Sequence, residues 1–198
     1  MGRASISLEE AVEQHLRDSG FPTDGGINEK WVVAAIGPFR LCFPNTKARR
    51  RAVPIHDLNH MLSGYGHDLV GEAEIGAWEL GGGCRGYLAA WMLDAAALIP
   101  GVLRAPGRML RAFVRGRSTG NLYGSDLTVI RSQPVDEVRQ AFALDQEYEV
   151  GPVDVALFVV VVLLAPLLGA FPALAVLVSS PWWLASGAYK KRRLTAGG

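Results

Sequence analysis

Cysteine, net charge and an apolar leader are what this sequence has least of. Only Cys42 and Cys84 occur, and they do not form a CxxC pair, which excludes a disulfide framework or a zinc ribbon. Two reduced thiols fit a reducing compartment. Lys and Arg number 20 against 19 Asp and Glu, a formal charge of +1. No global field therefore recruits nucleic acid, and basic residues act only where they cluster. The N-terminus carries no apolar signal region, and Glu9, Glu10, Glu13 and Asp18 speak against an organellar transit peptide. The longest absence is of charge itself: residues 155–189 contain none.

What is present suits one domain plus an appendage. The chain has 198 residues and a hydrophobic fraction of 49%, with a mean hydropathy of +0.18. Most of the apolar excess lies in the uncharged block, which divides the chain into a domain at 1–150 and a hydrophobic segment at 151–198. Ser7 to Glu10 has capping-box spacing and opens an amphipathic helix. Trp31 to Ile36 and Arg40 to Phe43 read as strands of a small hairpin around Gly37-Pro38. Helices are expected at 54–63, 67–80, 85–98 and from Pro134, with Pro100 opening a new segment and 116–126 a loop. The expected fold is mostly α, a helical domain with one small β-hairpin and a C-terminal membrane appendage.

One stretch carries candidate chemistry: His56-Asp57-Leu58-Asn59-His60, then Glu72 after eleven residues. On a helix His56 and His60 share a face one turn apart, with Asp57 about 100° around the axis from His56. Gly64 and Gly66 allow a turn into a second helix that lays Glu72 beside the histidines. Two imidazoles and two carboxylates then form a plausible divalent-metal set. Glu79 shares the face of Glu72 and is a candidate to orient a ligand imidazole, or else a surface acid. His67 has no assigned role.

Around this stretch, Phe43-Pro44-Asn45-Thr46, Arg49-Arg50-Arg51, Gly64-Tyr65, GEAEIGAWELGGGC (71–84), GRSTGNLYGSDL (116–127) and PVDEVRQAFAL (134–144) follow in order. Together they resemble bacterial members of the coenzyme Q (ubiquinone) biosynthesis protein four family over roughly residues 5–145. The resemblance implies that His56, Asp57, His60 and Glu72 are metal ligands and catalytic residues, with zinc as the ion. It implies a membrane-associated protein acting on polyprenylated aromatic quinone precursors, and it leaves room for a homodimer. That family is associated with replacing the ring carboxyl by hydroxyl, an oxidative decarboxylation, and with organising other ubiquinone biosynthesis proteins. Zinc is redox-inert, so either iron or another redox metal occupies the site, or zinc polarises a phenolate while the ring meets oxygen directly. The alternatives are a non-catalytic prenyl-lipid-binding scaffold with a structural metal, and a metal-dependent hydrolase. The hydrolase is disfavoured because His15 is isolated upstream.

Lipid contact is expected at two further places. Trp91 and Phe113 are large apolar members of helices expected to pack inward or to line a lipid pocket. Arg104, Arg108, Arg111 and Arg115 are spaced by four, three and four, which places them on one face of a single helix. Such a face suits anionic head groups or solvent. Lys47, Arg49, Arg50 and Arg51 form a basic run without interleaved aromatics, so nucleic acid is not an expected partner. The uncharged block exceeds the roughly 20 residues of one crossing and holds Pro166, Pro172 and Pro181. A re-entrant hairpin of arms 155–168 and 173–187 is favoured over a kinked single span. The basic end KKRR (190–193) places it at the cytoplasmic face of a bacterial inner membrane.

Overall fold

The computed structural model describes residues 6–18, 27–36 and 39–185. Among them are eight helices and one two-stranded sheet, so the chain is mostly α as its pattern predicts. Helix α1 (Leu8–Asp18) is closed by the capping box: the Glu10 amide donates to the Ser7 hydroxyl at 3.2 Å, and the Ser7 amide donates to Glu10 Oε2 at 2.9 Å. Strands β1 (Trp31–Ile36) and β2 (Phe39–Pro44) pair antiparallel, Trp31 opposite Pro44 and Ile36 opposite Phe39.

Helix α2 (Lys47–Ser63) begins seven residues before the expected start. The cause is Thr46, whose hydroxyl accepts from the Arg49 amide at 3.2 Å and supplies an N-cap. Pro54 therefore sits inside the helix, and the basic run lies on its first turns. Those cations have local partners: Arg49 donates to Asn45 Oδ1 at 3.1 Å, Arg50 to the Asn45 carbonyl at 3.0 Å, and Arg51 stacks over Tyr87. Gly64 ends α2 at φ +75°, a left-handed conformation that glycine adopts without strain.

Helix α3 (Leu69–Gly82) is capped by Asp68, which accepts from the Gly71 amide at 2.7 Å, and it runs on through Gly81 and Gly82. It is the buried axis of the domain, with Ile75, Ala77 and Trp78 fully inaccessible. Its small residues let neighbours approach closely. A Cβ at Gly81 would strike the Phe113 carbonyl, and one at Gly116 would strike the Trp78 carbonyl. These reciprocal contacts lock α3 against α5 (Pro106–Ser118). Helix α4 (Leu88–Arg104) covers the other side and continues through Pro100, so Pro100 does not open a new segment. Pro106 takes the first turn of α5 instead, where its missing N–H costs nothing. Short helices α6 (Leu127–Ile130) and α7 (Val135–Ala141) close the domain.

The arginine row is thereby broken. Arg104 ends α4, whereas Arg108, Arg111 and Arg115 lie on α5. Arg108 pairs with the buried Glu74 at 2.5 Å. Arg115 donates to the carbonyls of Ser63 and Leu144 at 2.9 and 3.1 Å and lies over the Tyr65 ring. Arg104 and Arg111 are exposed. The apolar block forms one continuous helix, α8 (Pro152–Ala185), with all three prolines inside it, so it does not turn back at Gly169 to Pro172. Helix α8 packs on α4, α5 and β2. The basic cluster at 190–193 lies outside the described residues.

Candidate metal centre

Helix α2 carries His56, Asn59 and His60 toward α3, which presents Glu72 and, two turns on, Glu79. His60 is 2% exposed, while the His56 side chain is 22% and Glu72 40% exposed. The site is therefore buried at its base and open on the Glu72 side. His56 Nε2 and His60 Nε2 lie 3.2 Å apart, and each is 3.5 Å from one oxygen of Glu72.

The outer nitrogens fix the inner ones. His56 Nδ1 is 3.0 Å from Glu79 Oε2, and His60 Nδ1 is 3.1 Å from the Tyr65 carbonyl. Both partners only accept, so both Nδ1 atoms carry hydrogen. In the neutral rings the two Nε2 lone pairs then face each other and the Glu72 carboxylate with no donor between them. A cation bound between them relieves that repulsion. Two nitrogens on a tetrahedral zinc at 2.0–2.1 Å lie about 3.3 Å apart, which matches the observed pair. Without a metal a proton takes the place: burial opposes charge on His56, but the Glu79 carboxylate and the bonds to Glu72 and Glu79 raise its pKa well above the usual value. Burial likewise opposes the Glu72 carboxylate, and the two histidines outweigh it and lower its pKa strongly.

Glu79 is fully buried and is no surface acid. Asn59 Nδ2 donates to its Oε1 at 2.7 Å, and the Tyr123 hydroxyl donates to Oε2 at 3.2 Å. Burial raises its proton affinity, but the His56 charge and the bonds from His56, Asn59 and Asp94 lower it further than burial raises it. Asp94 of α4 is the protonated partner: burial and the Glu79 charge push its pKa well up. The Cys84 thiol completes the chain, donating to Asp94 Oδ2 at 3.2 Å. Burial and the two neighbouring carboxyls also raise the pKa of Cys84 and Tyr123 strongly.

Three of the four expected ligands thus converge. The ligand atoms of His56, His60 and Glu72 lie within 4.8 Å of one another. Asp57, expected as the fourth ligand, is not among the atoms that converge: one step of about 100° around α2 sets it beside this triad. Burial raises its pKa, and the charges of His56, His60 and Arg49 oppose the rise, so its carboxylate faces the imidazoles electrostatically. His56, Glu79 and Asp94 form a second set at the same spacing, already satisfied by the internal hydrogen bonds. Asp94 and Tyr123 have no local signal for this role, because only tertiary packing brings α4 and the 121–123 segment to Glu79, whereas Asn59 lies one turn from His56 on α2. His67 joins the open side, its Nδ1 3.6 Å from Glu72 Oε1 and its ring 4.0 Å from that of His60.

The expected lipid residues lie elsewhere. Trp91 is half-buried on α4. Phe113 is 3% exposed and packs on Phe158 of α8, ring centroids 5.5 Å apart, so it lines no open channel. An apolar pocket of about 150 Å³ does lie between α4 and α8, bounded by Leu98, Val102, Leu103, Val162 and Ala165 among others.

Fold and site together define a helical domain whose two-histidine, one-carboxylate centre is of the kind that holds a divalent ion. No family model, curated protein or solved structure matches the chain.

Proposed function

We propose that this chain is a membrane-associated, metal-dependent protein of ubiquinone biosynthesis, acting on a polyprenylated aromatic ring and replacing its carboxyl, which leaves as carbon dioxide, by hydroxyl, with dioxygen as oxidant and oxygen source. The observation that carries the metal-dependent reading is the pair of Nε2 atoms facing each other and Glu72, their outer nitrogens committed as donors. The biosynthetic reading rests on the ordered motifs quoted above, and the membrane reading on the apolar helix. Residues 152–172 form a helix long and apolar enough to cross a membrane by length and composition, with a mean hydropathy of 2.6.

His56, His60 and Glu72 would hold the ion, with Asp57 as the adjacent carboxylate. A bound zinc supplies Lewis acidity, and iron in the same set would add redox capacity. Glu79 keeps the Nδ1 proton on His56 and so keeps Nε2 directed at the ion. The ring enters from the side bordered by Glu72 and His67. The apolar pocket between α4 and α8 suits a stretch of its prenyl tail, which stays out of water because each exposed CH₂ costs about 0.8 kcal/mol. Other biosynthesis proteins are the expected partners, at the cytoplasmic face of a bacterial inner membrane.

Metal analysis of protein purified without added metal is expected to give one divalent ion per chain. A strain depending on Glu72→Ala protein should accumulate a prenylated ring that keeps its carboxyl, read by mass spectrometry of lipid extracts. Normal ubiquinone in that strain would overturn the metal-centred reaction. A scaffold with a structural metal is the second reading, favoured by one observation: Glu79 ties α2, α3 and the 121–123 segment into one network. Retained complex assembly together with normal ubiquinone in the Glu72→Ala strain would support it.

A further inference from the structure

We infer that α8 lies in the plane of one membrane leaflet beneath the helical domain, and that it does not cross the bilayer. The inference rests on the membrane association proposed above and specifies its geometry.

One seam of α8 is covered by protein. Phe158 is 7% and Ala165 1% exposed, Val162 is half-buried, and a Cβ at Gly169 would come within 3.0 Å of the Ala96 backbone. These positions recur every three to four residues and share one helical face. The other faces are bare and apolar: Leu163 is 70%, Leu167 75%, Phe171 67% and Val178 68% exposed. A helix lying at a membrane surface ordinarily keeps a polar face for water. Among its described residues α8 has none beyond Asp154 at its start, and on its remaining side α4 and β2 take the place of water.

That packing is incompatible with an upright helix. Ala96 meets Gly169, while Val102 and Leu103 line one pocket with Val162, so α4 runs antiparallel alongside α8. Helix α5 is fastened to the same stretch, Phe113 on Phe158 and Arg117 on Asp154 at 2.8 Å. If residues 152–172 spanned the hydrocarbon, α4 and α5 would be carried in with them. The exposed Arg104, Arg108 and Arg111 would then sit at a depth where charge is costly. Length points the same way, since 34 helical residues reach about 51 Å against a hydrocarbon core of about 30 Å. In the plane of a leaflet neither difficulty arises. Leu88, Ile99 and Leu103 of α4 are exposed beside α8 and extend the apolar contact. Arg104, next after Leu103, places a cation at its edge, where anionic head groups meet it.

The test uses the full chain with Cys42→Ser, which leaves Cys84 buried, and single cysteines at Val160, Leu167 or Leu174. Each is nitroxide-labelled and bound to vesicles of phosphatidylcholine with phosphatidylglycerol. Depth is read from relative accessibility to oxygen and to a water-soluble nickel chelate. The expected result is one shared depth, roughly 5–10 Å below the head groups. A difference on the order of 20 Å between positions 160 and 174, the rise of the intervening helix, would overturn the in-plane geometry and leave membrane association standing. Spin–spin broadening with loss of access to both reagents would overturn it in favour of a second copy of the chain. Failure to bind vesicles at all would overturn the membrane reading itself.

Discussion

His56 is where the chemistry of this chain is decided, because its two nitrogens face opposite ways: Nδ1 to the buried Glu79, Nε2 to His60 and Glu72. Glu79→Gln keeps the shape of that contact but removes the charge that holds the Nδ1 proton. Metal affinity is expected to fall about 10–100-fold, whereas Glu72→Ala removes a ligand and should abolish stoichiometric binding. Competition against a chromophoric chelator separates the two, and equal affinity of Glu79→Gln and unmodified protein would count against the role given to Glu79. Cys84 provides an independent check on the same network. Its thiol is fully buried and pushed far up in pKa by burial and by Asp94 and Glu79. It should therefore resist a disulfide reagent at pH 8 in native Cys42→Ser protein and react once denatured; rapid native reaction would mean the network is open. The candidate ligands His56 and His60 were legible in the sequence because they are a helical turn apart, and spacing on one helix is local information. Asp94 and Tyr123 were not, since they converge on Glu79 through contacts between distant segments and no local period encodes them.

Element boundaries followed the capping residues more closely than the prolines. Thr46 and Asp68 set where α2 and α3 begin, whereas Pro54 and Pro100 were absorbed inside helices. A proline costs its own N–H bond and a bend, and burial on both sides of α4 outweighs that. The arginine row shows the same limit from the other side: Arg104 to Arg115 keep a helical period in sequence, yet the break at Ala105 sends them onto two helices. Gly81-Gly82-Gly83 reads in sequence either as a break or as a place where another backbone approaches closely, and the second holds: Gly81 meets the Phe113 carbonyl and Gly82 meets Asn121 and Gly116, while Gly116 of α5 meets the Trp78 carbonyl. Gly116→Ala would press a methyl group into the Trp78 carbonyl, and overpacking of this kind typically costs about 1–3 kcal/mol. A lowered midpoint with unchanged slope in urea unfolding is expected; an unchanged midpoint would show that α3 and α5 separate at no cost.

At the scale of the whole molecule, α8 belongs to the domain's packing as well as to the membrane contact proposed for it. The composition of 151–198 announced a separable appendage, but Phe158 and Ala165 are part of the same core as Phe113 and Leu98. Sequence shows that a stretch is apolar; it does not show which of its faces other residues will cover. Deleting residues 153–198 should therefore uncover the α4 and α5 faces, lower the melting temperature and promote aggregation, read by scanning calorimetry and light scattering. An unchanged melting temperature would restore the picture of an independent anchor. The same packing also orders events in time. Every residue of the metal centre lies between His56 and Tyr123, and α8 follows all of them in the chain. During synthesis, at about 5–20 residues per second, the site is translated seconds before the helix that covers α4. For that interval the nascent domain shows the apolar surface that α8 will cover, so anything that binds exposed apolar side chains competes with α8 for it.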